Sequence, residues 1–462
     1  MIERIFKAYD IRGTCPDMLN EDAAWKIGYA TALFFQRSRN NSFGPKVKLP
    51  DTVLVGRDMR PHSPALAAAL IEGIRASRTN VIDVGMVDTP FLSFAINHVD
   101  CAGGIQVTAS HNSIHWNGFN ISGAQARLIG SATGLEDIKR ITNTLRVGKT
   151  GQQGSLQQLD LWSAYRKHVL QFLDLKRKMR VVVDGSNGMA GWMIPAIFDG
   201  LPQLQIIPLL FETAGVFVHE PNPLVDANLA MLRQKVIADT PDLGACFDGD
   251  ADVCVFLDEK GQAIRSDLMA ALISKDLLAQ PANKGKTIVF DLRASRVLSE
   301  EISKAGGVSH RERVGPASIR KAMADTHAIF GAESSGHYYF GENYSADSGA
   351  IAFARVLSML SAQTMPLSGL AKPLFRYAQS GELSFAADDK DARMRDLADK
   401  YRKAHIDYLD GISVDCGDYW FNVRKSNTQP LLRLNVECRD EHKLQEKLQE
   451  LKAILGEPVA DH

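Results

Sequence analysis

Ser110 lies in Thr108-Ala109-Ser110-His111-Asn112, directly after the apolar run Gly104-Ile105-Gln106-Val107. A hydroxyl at the end of a buried strand is presented with little freedom to move, and it acts as a nucleophile once neighbouring groups activate it. His111 and Asn112 add polar groups suited to an anion. The same residues also make an ordinary turn, because Ser, Thr and Asn dominate loops. The nucleophile reading gains weight if the chain also carries a metal site, a sugar-recognition loop and a phosphate clamp.

Phe247-Asp248-Gly249-Asp250-Ala251-Asp252 supplies three carboxylates at alternate positions, able to curl around one hard cation, with Gly249 and Ala251 leaving room for the turn. Oxygen-only ligands favour Mg²⁺ or Ca²⁺ over zinc. Glu259 falls at the twelfth position of an EF-hand loop, but Val253 stands at the sixth, where that loop needs Gly, and the flanks read as strands. The EF-hand is rejected, and a solvated acidic turn stays open beside the metal loop.

Gly331-Ala332-Glu333-Ser334-Ser335-Gly336-His337 sets a carboxylate, a hydroxyl and an imidazole at alternate positions, a combination that can bind sugar hydroxyls. A polar turn before Tyr338-Tyr339-Phe340 is the alternative. Arg424-Lys425-Ser426-Asn427-Thr428-Gln429-Pro430 concentrates cations, hydroxyls and backbone donors, the make-up of a phosphate clamp or of a surface hairpin. Tyr9-Asp10-Ile11-Arg12-Gly13 is by itself only a turn. His62, His98 and His168 show no ligand spacing.

The elements that must position these groups alternate. Val53-Leu54-Val55 reads as a strand and Gly56-Arg57-Asp58-Met59-Arg60 as a polar loop. Ser63-Pro64 opens a helix, with Ser63 as N-cap and Leu66, Leu70 and Ile74 on one face. Val81-Ile82-Asp83-Val84 is the next strand. This strand–helix–strand rhythm implies a mostly parallel sheet covered by helices. Val181-Val182-Val183-Asp184 leading into Gly185-Ser186-Asn187-Gly188, and Ile288-Val289-Phe290-Asp291 leading into Arg293-Ala294-Ser295, repeat the phrase and suggest three related α/β domains. The polar stretch 147–158 reads as the first linker, with further boundaries near 257–262 and 364–370. Strand patterns at 410–414, 419–423 and 432–437 and an amphipathic helix over 441–455 make the last hundred residues a smaller α+β domain.

At 462 residues the chain exceeds one core, and its length suggests roughly three or four domains. With 53 Lys plus Arg against 54 Asp plus Glu, the net charge of −1 gives no support for a nucleic-acid or membrane-surface partner, so any anion must meet local basic clusters. The six cysteines, at 15, 101, 246, 254, 416 and 438, form no C-x-x-C pair, which suggests reduced thiols and a cytoplasmic setting. Met1 to Lys7 lacks the pattern of a secretory signal, and no apolar run reaches the roughly 18 residues of a membrane span.

In this order the motifs resemble the α-D-phosphohexomutase superfamily, especially the bacterial phosphomannomutase/phosphoglucomutase branch, from Lys7-Ala8-Tyr9-Asp10-Ile11-Arg12-Gly13 to Arg433. The resemblance implies four domains round a central cleft: three related α/β domains with mixed, mostly parallel sheets, and a C-terminal α+β domain. The expected ranges are 1–150 with the phosphoserine loop, 155–256 with the metal loop, 257–366 with the sugar loop and 370–462 with the phosphate loop. It implies Ser110 as the phosphorylated nucleophile, with His111 and Arg12 beside it as catalytic groups. Ser110, Asp248, Asp250 and Asp252 would ligate one Mg²⁺. Tyr9, Glu333, Ser335 and His337 would bind the sugar, and Arg424, Ser426, Asn427 and Thr428 its non-reacting phosphate.

By the same resemblance the substrate is a hexose phosphate, of mannose and also glucose, the activator is glucose or mannose 1,6-bisphosphate, and the protein is a monomer or homodimer. Four positions depart from the pattern: Asn120 stands for a proton-transferring Lys, Val253 for an Arg, Gln429 for a Glu and Ser113 for a Pro. An amide exchanges no proton at neutral pH, and losing a general acid–base group costs ~10²–10⁴-fold in rate. Asn120 and Val253 therefore keep a second reading in view: a mutase-like protein that binds a sugar phosphate but turns it over slowly or not at all. A phosphoglucosamine mutase is the further alternative. Tyr9 to Gly13 and Ser426-Asn427-Thr428 look more like the mannose/glucose branch.

Overall fold

The computed structural model describes residues 2–40, 51–145, 151–213, 215–426 and 431–459. It divides into two compact units, 1–265 with 335–368, and 266–334 with 369–462.

In the first unit the chain runs β1 (Ile11–Thr14), α1 (Glu21–Asn40), β2 (Thr52–Arg57), α2 (Ser63–Ala76), β3 (Asn80–Met86), α3 (Thr89–His98), β4 (Gly103–Val107), β5 (Trp116–Gly123), α4 (Leu135–Thr144) and β6 (Leu156–Gln158). These strands form one sheet in the order β1-β5-β4-β2-β3-β6. β2 lies parallel to β3 and β4, while β5 runs antiparallel to β4 and β1 to β5. Every residue of β4 is buried, as expected of a strand whose sheet is covered on both faces. Leu66, Leu70 and Ile74 of α2 join Val53, Val55, Ile105 and Val107 in the core, so the helical stripe packs on the sheet as its spacing predicts.

Two local expectations are corrected. His62, and not Ser63, occupies the N-cap of α2, with Pro64 in the first turn; the Ser63 hydroxyl instead donates to Asp58 Oδ1 at 2.5 Å. Part of the supposed linker 147–158 is strand, because β6 pairs in parallel with β3 through Val81 and Leu156. Its residues are all exposed, so no apolar alternation announced it.

The second sheet follows α5 (Trp162–Leu170): β7 (Met179–Asp184), α6 (Ala190–Phe198), β8 (Leu204–Leu209), α7 (Ala230–Asp239), β9 (Leu243–Phe247), β10 (Cys254–Leu257) and β11 (Ala263–Ile264). Its order is β11-β10-β9-β7-β8, with β7 parallel to β8 and β9. The second unit opens with α8 (Ser266–Ala279), β12 (Thr287–Asp291), α9 (Arg296–Lys304), β13 (Val308–Glu312), α10 (Pro316–Thr326) and β14 (Phe330–Ala332), with β12 parallel to both β13 and β14. β15 (Tyr338–Phe340), β16 (Ala346–Asp347) and α11 (Gly349–Ser361) return to the first unit.

After the short α12 (Leu367–Ala371), the chain ends with β17 (Ala378–Ala386), α13 (Lys390–Lys400), β18 (His405–Asp407), β19 (Ile412–Asp415), β20 (Tyr419–Lys425), β21 (Leu431–Cys438), α14 (Glu441–Leu455) and β22 (Pro458–Val459). This last sheet is antiparallel, β18-β19-β20-β21-β17-β22, over a core of Phe385, Val414, Phe421, Leu434 and Leu451. The α+β character expected of the last hundred residues is present.

The repeated strand–Asp phrase has a structural counterpart. Asp58, Asp184 and Asp291 are each fully buried at or just beyond the end of a parallel strand. In each, Oδ1 accepts the backbone N–H two residues on: from Arg60 at 3.0 Å, Ser186 at 2.9 Å and Arg293 at 2.7 Å. Oδ2 in turn meets Arg60 Nε at 3.2 Å, His219 Nε2 at 3.2 Å and Arg293 Nη2 at 2.8 Å. One turn chemistry therefore frames three loops. Among the described residues, no helix is long and apolar enough to cross a membrane.

Candidate active site

Ser110 follows the C-terminal end of β4, and the carboxylate loop follows that of β9. Open α/β sheets place their ligand groups at this end of parallel strands. Ser110 is 7% exposed and holds a positive φ of 49°, a conformation that L-residues with side chains keep only under outside constraint. That constraint is Arg60. Its fully buried guanidinium donates from Nη2 to the carbonyls of Ser110 at 2.8 Å and Asn112 at 2.6 Å, and from Nη1 to those of Ser113 at 2.7 Å and Trp116 at 3.0 Å. The Asn117 amide donates to the Ser63 hydroxyl at 2.9 Å, which ties the far end of the loop to Asp58. Burial pushes the Asp58 carboxyl up and the Arg60 guanidinium down, against their mutual attraction.

Ser110 Oγ donates to Asp248 Oδ2 at 2.8 Å and lies 3.2 Å from His111 Nδ1. The two loops touch through backbone: a Cβ on Gly249 would stand 2.3 Å from the Ser110 carbonyl oxygen, so only glycine fits there. Asp248 and Asp250 are fully buried and Asp252 is 7% exposed; one oxygen of each lies within 4.8 Å of the others. Ala251, at φ 62°, makes the curl between the last two.

Asp250 Oδ2 accepts from Thr89 Oγ1 at 2.5 Å and Thr108 Oγ1 at 3.2 Å, whereas its Oδ1 is buried with no hydrogen-bond partner. Burial, then repulsion from Asp252 and Asp250, holds the Asp248 carboxyl well above its ordinary range. Asp252 is pushed up to about 7 by burial and by Asp250, with His337 opposing. Three crowded carboxylates with an orphaned oxygen suit a hard divalent cation, whose charge would remove the repulsion. The flanking β9 and β10 are antiparallel strands, so the EF-hand is excluded.

Arg12, on β1, donates from Nη1 to Asn112 Oδ1 at 2.5 Å and to the Ala109 carbonyl at 3.3 Å, and pairs with Asp10 at 2.6 Å. The predicted arginine thus lies against the Ser110 loop, and Tyr9 sits in the turn before the same strand. His337 Nε2 is 3.5 Å from Asp252 Oδ1, its Nδ1 is 2.9 Å from Ser335 Oγ, and an isolated bridge joins Val253 to His337. Val253 is therefore buried backbone support for His337, at 3% exposure. Asn120, on β5, is half-buried opposite Gln106.

Glu333 belongs to the second unit, where its Oε2 accepts the Gly315 N–H at 2.9 Å and lies 3.8 Å from Arg293 Nη2. The sugar-loop candidates therefore split, Glu333 in one unit and Ser335 with His337 in the other. Arg424, the penultimate residue of β20, has Nη2 at 2.6 Å from Glu382 Oε2, and the Ser426 N–H donates to the Leu431 carbonyl at 2.9 Å. Asn427 and Thr428, with Gln429, lie outside the described residues. Sequence reasoning passed over Arg60, Asp58, Thr89, Arg293, Glu382 and Arg433. The shared spacing Asp58-x-Arg60 and Asp291-x-Arg293 was the one available signal for any of them.

Four models of phosphoglucomutase/phosphomannomutase domains match the chain: α/β/α domain I at residues 3–147, domain II at 163–261, domain III at 265–377 and the C-terminal domain at 383–454. A protein of Xanthomonas campestris pv. campestris described as phosphohexose mutases is 36% identical over 459 residues, 97% of this chain and 98% of that protein. Phosphomannomutase of Escherichia coli (strain K12) is 35% identical over 453 residues, covering 96% of each. The crystal structure of a phosphoglucomutase/phosphomannomutase family protein from Burkholderia thailandensis matches with TM-score 0.88 at 30% identity, over 99% of both chains.

Proposed function

Because the chain belongs to the phosphoglucomutase/phosphomannomutase family of isomerases, we propose that it is a Mg²⁺-dependent phosphohexomutase. It interconverts the 1- and 6-phosphates of mannose, and of glucose, through phosphorylated Ser110 and a 1,6-bisphosphate. The observation that carries this reading is the Ser110 Oγ–Asp248 hydrogen bond inside a buried triad of carboxylates.

Phosphoryl transfer asks chiefly for positioning and charge neutralisation. Asp248, Asp250, Asp252 and Ser110 Oγ would hold Mg²⁺, which supplies charge neutralisation at the transferring group. Arg60 fixes the loop carbonyls so that Oγ is presented without reorganisation. Arg12 brings a second cation to the Ser110 loop, and His111 orients the hydroxyl. When the phosphoryl group leaves, the bond from Ser110 Oγ to phosphorus breaks and one to a sugar oxygen forms. The proton of that sugar hydroxyl ends on Oγ; the return transfer reverses both changes at the other end of the sugar. Ser335, His337, Glu333 and Tyr9 recognise the sugar, and Arg424 with Ser426, Asn427 and Thr428 takes the idle phosphate.

Asn120 and Val253 favour one second reading, a binding protein of the same family that turns over slowly. A coupled assay with mannose 1-phosphate, Mg²⁺ and glucose 1,6-bisphosphate, alongside intact mass, separates them. Turnover and an added phosphate, both lost in Ser110→Ala, support the mutase. Binding without turnover in the native protein, with activity regained in Asn120→Lys/Val253→Arg, supports the second reading.

A further inference from the structure

Arg424 on β20 and Arg433 on β21 stand directly opposite each other in an antiparallel ladder. Like charges in that register repel unless an anion lies between them. Here the anion is a side chain. Glu382 Oε2 lies 2.6 Å from Arg424 Nη2, 3.6 Å from Arg293 Nη1 and 3.3 Å from Asn435 Nδ2, and its Oε1 lies 3.9 Å from Arg433 Nε. A defect in β17 aims it there: the pairing with β21 slips between Gln379 and Glu382, and Gly381 takes a φ of 68°. Bulges of this kind re-aim a side chain next to functional groups.

Arg293 already has a carboxylate of its own, because Asp291 accepts both Nε at 3.1 Å and Nη2 at 2.8 Å. Glu382 is therefore the anion shared by Arg424 and Arg433. Its side chain is 26% exposed, which leaves it open to exchange.

We propose that Glu382 is the resident counter-anion of the phosphate clamp, holding Arg424 and Arg433 in place in the free protein and yielding Arg424 to the phosphate of a bound hexose phosphate. This rests on the reading of Arg424 as a phosphate ligand. Glu382 is then a positioning residue that also sets how tightly phosphate is held. A carboxylate carries one charge where a phosphate monoester carries nearly two, so the ligand wins the exchange, and the carboxylate competes for the guanidinium when product leaves.

The test uses the full chain, with inorganic phosphate as competitor and mannose 1-phosphate as substrate. Glu382→Gln keeps the shape and the hydrogen-bonding ends but removes the charge. It is expected to lower both the inhibition constant of phosphate and the KM roughly tenfold, about 1.4 kcal/mol, while kcat falls because release slows. A purely structural role would not tighten phosphate binding. Unchanged or weaker phosphate binding in folded Glu382→Gln overturns the proposal. If that variant fails to fold, Glu382→Asp keeps the charge but shortens the reach, and it must tighten binding in the same sense. Arg424→Gln separates the two claims. If it leaves phosphate binding and KM unchanged, the clamp reading fails and this proposal with it. If it weakens both while Glu382→Gln changes neither, only the counter-anion proposal fails.

Discussion

Arg60→Met removes a buried cation of similar length from beneath the Ser110 loop. The guanidinium makes four charge-assisted hydrogen bonds to loop carbonyls and faces Asp58, both side chains being 0% exposed. Breaking one side of a buried ion pair costs about 3–5 kcal/mol, because the remaining charge is left uncompensated. At ~2–4 °C per kcal/mol for domains of 150–250 residues, 4 kcal/mol lowers the melting temperature by about 8–16 °C.

The double variant Asp58→Asn/Arg60→Met removes the stranded carboxylate as well. It should melt above Arg60→Met alone, with a coupling of about 1–3 kcal/mol of the kind contacting residues show. Kinetics give an independent reading. Ser110 loses its frame while the phosphate clamp is untouched, so kcat falls and the inhibition constant of inorganic phosphate stays put. Differential scanning calorimetry of the three proteins without Mg²⁺, followed by the coupled assay, measures both. A melting temperature within about 2 °C of the parent, or a double variant no more stable than Arg60→Met, refutes the role given to this pair.

Two further expectations follow from the charges. Asp248→Asn should raise the melting temperature of the metal-free protein, since burial and the repulsion from Asp252 and Asp250 disfavour the ionised carboxyl. It should also forfeit the gain of about 2.7 kcal/mol that the parent draws from Mg²⁺ at a hundredfold excess over its Kd, and equal Mg²⁺ shifts in both proteins would count against the triad as the cation site. At the other end of the chain, burial raises the Glu450 carboxyl, but hydrogen bonds from Lys447, Lys400 and Tyr401 outweigh it and bring its pKa down from 4.5 to about 2. A depressed carboxylate stabilises fully above its unfolded pKa and loses that contribution as pH falls through its folded value. Amide-exchange protection in α14 should therefore decline between pH 4.5 and about 2 in the parent. It should start lower and decline less over that window in Glu450→Gln, and parallel profiles would exclude the effect.

The buried carboxylate loop and the Ser110 loop that meets it were legible because each packs its polar groups into five or six consecutive residues. Local spacing then carries the geometry, and the structure adds only that Gly249 lets the two loops meet through backbone. The α/β repeats were legible for the same reason: parallel strands buried over most of their length read as apolar runs with an Asp at or just beyond their end. Arg60 was not, because the loop carbonyls it holds lie 50 to 56 residues away, and the local spacing Asp58-x-Arg60 marks the ion pair without showing that reach. Glu382 was hidden in a strand whose slip no pattern of hydrophobicity announces. Strand β6 escaped because an exposed edge strand has no burial pattern to read. His337 looked like a sugar ligand from its neighbours in sequence, yet its bridge to Val253 brings it to Asp252, beside the carboxylate triad.

The three buried aspartates show how one frame supports different chemistry. Each uses one oxygen to close the same two-residue turn, so the turn itself specifies nothing about function. What differs is the cation on the other oxygen and what else that cation reaches. Arg60 turns from Asp58 to the carbonyls of the Ser110 loop and ties it down. Arg293 turns from Asp291 towards Glu333 and Glu382. His219, on Asp184, spends its other nitrogen on the Glu220 carbonyl and reaches no further. Two of the three repeats thus couple a structural carboxylate to a loop beyond the turn through an arginine fork, which can bond in several directions at once. The middle repeat carries an imidazole, whose two nitrogens are both taken, by Asp184 and by the Glu220 carbonyl. Its contribution comes instead from the carboxylates beyond β9, two strands along from the aspartate turn in sequence and beside it in the sheet.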